Sequence, residues 1–327
     1  MRRIPRRVRI ALNVAISAAV IAYLVWQIDI GQTIDVIADT NVVYLALATL
    51  VFFASTWGMA WRWQLLLAAR GVHEPMSWLT SMYFIGYAAT QVLPTGIGGD
   101  AVRIVEHSRR RPGQGGEVAA AVLLERVIGA AGVLVMVGIG LIAAIGRYDD
   151  IRFLVTVELV SIVLVGAGLF LLFSTTARRH LRFMGPLTAK LRVERHARAL
   201  YEAMHAYRQH PREVLVVLVV SVVLQFVRII SIWLCGLAVG IDLSLLPYVI
   251  LGPLLFLAMM VPFTINGLGV REAFFVAFLG RFGVDPDTAF AAGFLFYAVT
   301  IAAAVPGAVL LLWRSTRPAV VGPRTEA

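Results

Sequence analysis

Cysteine is nearly missing from this chain: Cys235 is the single one in 327 residues, which excludes an intrachain disulfide framework and a cysteine-rich metal site. Charge is scarce as well. Asp, Glu, Lys and Arg make up 15% of the residues against 60% hydrophobic ones, far from the soluble average. The stretches 42–60, 127–146 and 288–313 hold no charged residue at all. Runs near twenty residues match a hydrocarbon core about 30 Å thick, so a soluble core is excluded and bilayer-spanning helices are expected. No hydroxyl, thiol or histidine stands beside a positioned base in the sequence, which leaves catalysis without local support. His73, His107, His180, His196, His205 and His210 show no metal-ligand spacing and read as solvated side chains. The expectation is a non-enzyme without metal or cofactor.

The charge that is present is mostly basic, with a net of +10. Nucleic acid is not the expected partner, because the basic residues sit in short loops between apolar spans, where they set topology and attract anionic lipid headgroups. Segments 1–9, 61–77, 100–116, 174–213 and 314–327 hold 23 of the 29 Lys and Arg residues, and loops 29–41, 146–152, 240–246 and 281–287 hold 3. The first set is expected in the cytoplasm and the second outside. Arg2, Arg3, Arg6, Arg7 and Arg9 precede an apolar run that continues to Ile28, longer than the roughly 7–15 residues of a cleaved signal, so an anchor is expected.

Two motifs correspond. Pro94-Thr-Gly-Ile-Gly-Gly-Asp-Ala-Val-Arg103 and Pro262-Phe-Thr-Ile-Asn-Gly-Leu-Gly-Val-Arg271 share proline, isoleucine, glycine, valine and arginine at matching offsets. Paired Gly/Pro-broken apolar segments in two halves of a membrane protein point to a transporter's central site. Since 61–77 and 100–116 are both basic, the apolar stretch between them must enter and return on one side. The reading is an all-α polytopic membrane protein, a single transmembrane domain over 1–327 with an inverted-topology repeat. Repeat one covers about 42–146 with a re-entrant hairpin at 78–108, and repeat two about 214–313 with a second hairpin at 245–280. About six full crossings are expected, at 10–28, 42–60, 118–146, 153–173, 214–239 and 288–313, with both termini in the cytoplasm. Pro94, Gly96, Gly98, Gly99, Pro262, Gly267 and Gly269 are assigned to the hairpin turns.

Non-helical backbone at membrane depth is tolerated only against protein or a water-filled cavity. Two such turns imply a polar chamber, with the free amides of each returning helix ready for an anion. Ionisable residues at depth are costly and mark functional sites by default. Arg103, Arg126, Arg228 and Arg271 are therefore candidates for a phosphate-headgroup path, with Asp100, Glu125 and Glu272 as counter-charges and Asn266 at the second turn. The same set also reads as an ion-paired network that locks the hairpins. Glu106 belongs to the surface, and Glu158 has no assigned role.

With Val122-Leu-Leu-Glu-Arg-Val-Ile-Gly129 between them, these motifs resemble the flippase-like transmembrane region of lysylphosphatidylglycerol synthases, which also occurs as a stand-alone membrane protein. The resemblance covers nearly the whole chain. It implies movement of a phospholipid or lipid-linked headgroup between leaflets of the cytoplasmic membrane, without ATP-binding machinery. The family pattern often has aspartate where this chain has Glu125. The last apolar run ends fourteen residues before Ala327, so the aminoacyl-transfer domain that larger members add is expected to be absent. Two alternatives stay open: a non-transporting subunit that presents lipid to a separate synthase or glycosyltransferase, and an enzyme acting on a lipid phosphate.

Three weaker signals complete the reading. Val193, Ala197, Leu200, Met204 and Tyr207 form an apolar stripe in the basic linker 174–213, as in an amphipathic helix on the cytoplasmic face. Trp57, Trp61, Trp63, Trp78 and Trp313 fit an interfacial aromatic belt. Gly96-Ile-Gly98-Gly99-Asp100-Ala101 matches a dinucleotide fingerprint by letter, but no strand precedes it, so nucleotide binding is set aside.

Overall fold

A computed structural model describes residues 30–92, 98–144, 206–260 and 269–315, together with Thr156, Leu159 and Val163. Among these residues the regular structure is helical throughout. The helices are α1 (Ile30–Ala38), α2 (Val42–Ala68), α3 (Met76–Val92), α4 (Gly98–Arg110), α5 (Gly115–Ala144), α6 (Pro211–Ala238), α7 (Leu245–Met260), α8 (Val270–Leu279) and α9 (Pro286–Ser315). Four of them, α2, α5, α6 and α9, are long and apolar enough to cross a bilayer. At 1.5 Å per residue each reaches about 40 Å, beyond the roughly 30 Å hydrocarbon thickness. Their outer faces suit lipid, with Val42, Leu50, Val219 and Leu312 exposed. The expected crossings at 10–28 and 153–173 lie outside the described residues, apart from the three isolated positions.

Helices α2 and α6 run antiparallel, and three bonds fix their register. Asn41 N donates to the Ala238 carbonyl at 2.8 Å, Ser231 Oγ to the Ala48 carbonyl at 2.9 Å, and Arg62 Nη1 to Ser221 Oγ at 3.0 Å. Asn41 also accepts from Val43 N at 3.0 Å and so starts α2. Around this pair lie two buried clusters. One centres on Phe52, Tyr248, Phe275 and Phe296, the other on Trp63, Leu66, Leu67, Met82 and Ile85.

Helices α3 and α4 form a hairpin whose two ends meet. Arg110 Nε and Arg111 Nε, where α4 finishes, each reach Glu74 at 3.1 Å, just ahead of α3. Toward the other end Gly99 packs on Gly86 so closely that a Cβ at 99 would stand 2.6 Å from the Gly86 carbonyl oxygen. Helices α7 and α8 also pack on one another.

Several expectations need correction. The span placed at 42–60 continues to Ala68, because Trp63, Leu66 and Leu67 keep the apolar pattern going and Arg62 finds a buried partner. Gly98 and Gly99, assigned to a turn, form the buried first turn of α4; at Gly99 the absence of a side chain serves close packing on α3. The loop at 29–41 contains α1, which Thr33 ties to the start of α9 through a 3.2 Å bond to Asp287. His107 is fully buried, edge-on to Trp78 at 5.4 Å and 3.6 Å from Glu74. Trp63 is also fully buried, whereas Trp57, Trp61 and Trp313 are exposed; in a helix that runs on to Ala68, Trp57 sits near the middle and not at an end. Pro94, Gly96, Pro262, Asn266 and Gly267 lie outside the described residues, as does the linker stripe up to Tyr207. Tyr207 itself is buried and donates to the Leu66 carbonyl at 2.8 Å.

Candidate functional site

A cavity of about 310 Å³ opens where these helices converge, and five arginines line it: Arg62, Arg103, Arg126, Arg228 and Arg271. Two carboxylates, Asp100 and Glu125, share the lining. Buried ions persist only when paired and hydrogen-bonded, since each costs several kcal/mol to remove from water.

Glu125 is the hub of one side. Its carboxylate accepts from Arg62 Nη2 at 2.6 Å, from Arg103 Nη1 at 3.2 Å and from the Tyr83 hydroxyl. One acidic side chain on α5 thereby ties together α2, α3 and α4. Asp100 and Arg103 stand one turn apart on α4, where residues at i and i+3 face each other, and they pair at 2.5 Å. Asp100 also accepts from Arg126 Nε, joining α4 to α5 a second time. The Arg103 guanidinium lies 4.2 Å from the Tyr83 ring centroid and 4.8 Å from that of Trp63. Such stacking adds roughly 0.5–2 kcal/mol. With its hydrogen bonds and both rings, Arg103 is committed to the protein itself.

The other side is built differently. Arg271 donates from Nε and Nη2 to Glu272 Oε1 at 3.0 and 2.7 Å, and lies 4.4 Å from the Tyr297 ring centroid. Glu272 Oε2 turns back to accept from Gly269 N at 2.7 Å. Gly269 has a φ of 84°, a left-handed conformation that favours glycine. The start of α8 was expected to offer free amides to an anion; Glu272 already fills that role for the Gly269 amide. Arg228, midway along α6, lies 5.1 Å from the ring centroids of both Phe52 and Phe256. Several buried atoms around the cavity have no hydrogen-bond partner among the described residues: Arg62 Nε, Arg228 Nε, Arg271 Nη1 and Gln225 Oε1.

The sequence candidates Asp100, Arg103, Glu125, Arg126, Arg228 and Arg271 thus share one cavity. Glu272 adjoins it through Arg271. Asn266 lies outside the described residues. Glu106 pairs with Arg109 at 3.1 Å, away from the cavity lining. The sequence reading missed Arg62 and Tyr83. The motif Trp61-Arg62-Trp63 followed by Leu65-Leu-Leu67 could have revealed the first, as an arginine inside a continuing apolar helix; nothing local marks Tyr83.

A multi-pass helical membrane protein with a buried, arginine-rich chamber is the class that fold and site define. The chain belongs to the family of the lysylphosphatidylglycerol synthase TM region, whose profile matches residues 10–307. It is 28% identical to a protein named glycosyltransferase AglD of Haloferax volcanii, over 94% of this chain and 54% of the relative. The chain therefore spans about half the length of that relative. It is 23% identical to a UPF0104 membrane protein of Methanothermobacter thermautotrophicus, over 86% of this chain and 88% of the relative. No solved structure matches the chain.

Proposed function

We propose that this protein is a lipid transporter of the cytoplasmic cell membrane, moving a phospholipid or lipid-linked headgroup between leaflets. The cavity carries the argument: five arginines against Asp100, Glu125 and the adjoining Glu272 make a positive interior, suited to a phosphate that must leave the headgroup layer. A volume of about 310 Å³ admits a headgroup while acyl chains stay in lipid. Non-substrate anionic lipids contact the basic cytoplasmic loops.

The architecture belongs to the same reading. Helices α3–α4 and α7–α8 are re-entrant hairpins inserted from opposite sides, within six crossings arranged as an inverted repeat whose halves are joined by the basic linker. The antiparallel register of α2 and α6 supports it, as does the return of Arg110 and Arg111 to Glu74.

Reconstitution tests this. Proteoliposomes with labelled phospholipids in the inner leaflet should lose label to an impermeant outside quencher at least tenfold faster than protein-free vesicles. Rates equal to those of empty vesicles across a panel of phospholipids and polyprenyl-phosphate lipids would refute transport. One observation favours a second reading, a non-transporting subunit that presents lipid to a separate synthase or glycosyltransferase: the longer relative is named a glycosyltransferase. Co-purification of such an enzyme, with no transfer by the chain alone, would select it.

A further inference from the structure

The five arginines of the cavity are not equivalent. Arg62 and Arg103 hold Glu125, Arg103 and Arg126 hold Asp100, and Arg271 holds Glu272. Arg228 is different: among the described residues no carboxylate lies within ion-pair distance of it, and its Nε is buried without a partner. Two phenyl rings flank this half-buried side chain, and ring quadrupoles offset only part of what its guanidinium loses where it leaves water. Five guanidinium groups thus face three carboxylates, and Arg228 is the one with none in reach. The lining also includes Arg271, whose Nη1 is an unfilled donor in a residue with no exposed surface, and Gln225, one turn earlier than Arg228 on α6. All three residues line the same cavity.

We propose that Arg228, with Arg271 Nη1 and Gln225, forms the seat of the substrate phosphate, while Arg62, Arg103 and Arg126 are the scaffold that keeps the chamber in shape. This rests on the lipid-transport reading and assigns its binding step to α6 and α8. A guanidinium offers a planar fork of donors to two oxygens of a tetrahedral oxyanion, which an ammonium does not. Arg228→Lys therefore keeps the charge and loses the recognition. Gln225 contributes its amide N–H groups to the same oxyanion and turns its carbonyl toward a headgroup hydroxyl or amine.

The test is calorimetric titration of the full-length protein in neutral detergent. Its ligands are dihexanoyl phosphatidylglycerol, dihexanoylglycerol, which lacks the phosphate, and inorganic phosphate. Wild type should bind the phospholipid at least tenfold more tightly than dihexanoylglycerol, a difference of about 1.4 kcal/mol. Arg228→Gln and Arg228→Lys should both erase that preference while melting as wild type does without lipid. The proposal is overturned if wild type shows no preference, if either variant folds and binds like wild type, or if both fail to fold, which would make Arg228 scaffold. Inorganic phosphate binding as tightly as the phospholipid, and only with Arg228 present, would keep the oxyanion seat but remove the lipid as its source. An Arg228-dependent preference in a protein that moves no lipid in vesicles would sink transport alone. Transfer by Arg228→Gln at the wild-type rate would sink this assignment alone.

Discussion

Glu125→Ala is expected to cost about 3–5 kcal/mol of stability, the range seen when one partner of a buried ion pair is removed. Three side chains from three other helices converge on this carboxylate, Arg62, Arg103 and Tyr83. Without it two buried guanidinium groups lose their shared counter-charge, and the chamber wall loses the joint between α2, α3, α4 and α5. The measurement is thermal unfolding in detergent with the yield of monodisperse protein. Adding Arg62→Ala to Glu125→Ala should recover part of the loss, because it removes one of the stranded charges; residues in one network are coupled in this way. Strict additivity of the two changes would show that Glu125 does not act through Arg62.

The second large effect is expected from a methyl group. In Gly99→Ala the new Cβ would stand 2.6 Å from the Gly86 carbonyl oxygen and 2.9 Å from Thr90 Oγ1, so the arms of the hairpin must separate. Overpacking of this kind costs about 1–3 kcal/mol. It should also impair transfer beyond that cost, since Asp100 and Arg103 ride on the displaced helix. Gly116→Ala is the comparison, because nothing lies within 4 Å of the added carbon on α5. Alanine is the better helix former by roughly 0.5–1 kcal/mol, so that variant should be neutral or slightly stabilised. Equal melting temperatures and transfer rates for the two variants would show that the hairpin arms have room to spare.

Much of this was legible in the amino acids, for a definite reason. Where the chain is apolar, hydropathy places helices well: the apolar helices expected to start at 78 and 245 begin at Met76 and Leu245. Ionisable residues inside such runs stand out by their cost, which is why Arg126, Arg228 and Arg271 were visible as cavity residues. Arg62 was not, because counting basic residues as loop markers ended α2 eight residues early. Its justification is Glu125, 63 residues away in sequence, and long-range pairing leaves no periodic trace. The same holds for Trp63, which looks like a belt residue until Arg103 is found lying over it. His107 follows suit, its burial set by Trp78 and Glu74 on the far side of the hairpin. Glu272 was recognised as a counter-charge, but its second role at Gly269 depends on the local backbone turn.

In the proposed architecture two hairpins enter from opposite faces and meet at the charged chamber, and membrane sidedness tests it directly. In a Cys235→Ala background, single cysteines replacing Arg70, Arg109 and Arg281 are labelled in sealed vesicles with an impermeant maleimide. Positions 70 and 109 are expected to react from the cytoplasmic side and position 281 from the other. Labelling of 70 and 109 from opposite sides, or of 109 and 281 from the same side, would contradict it.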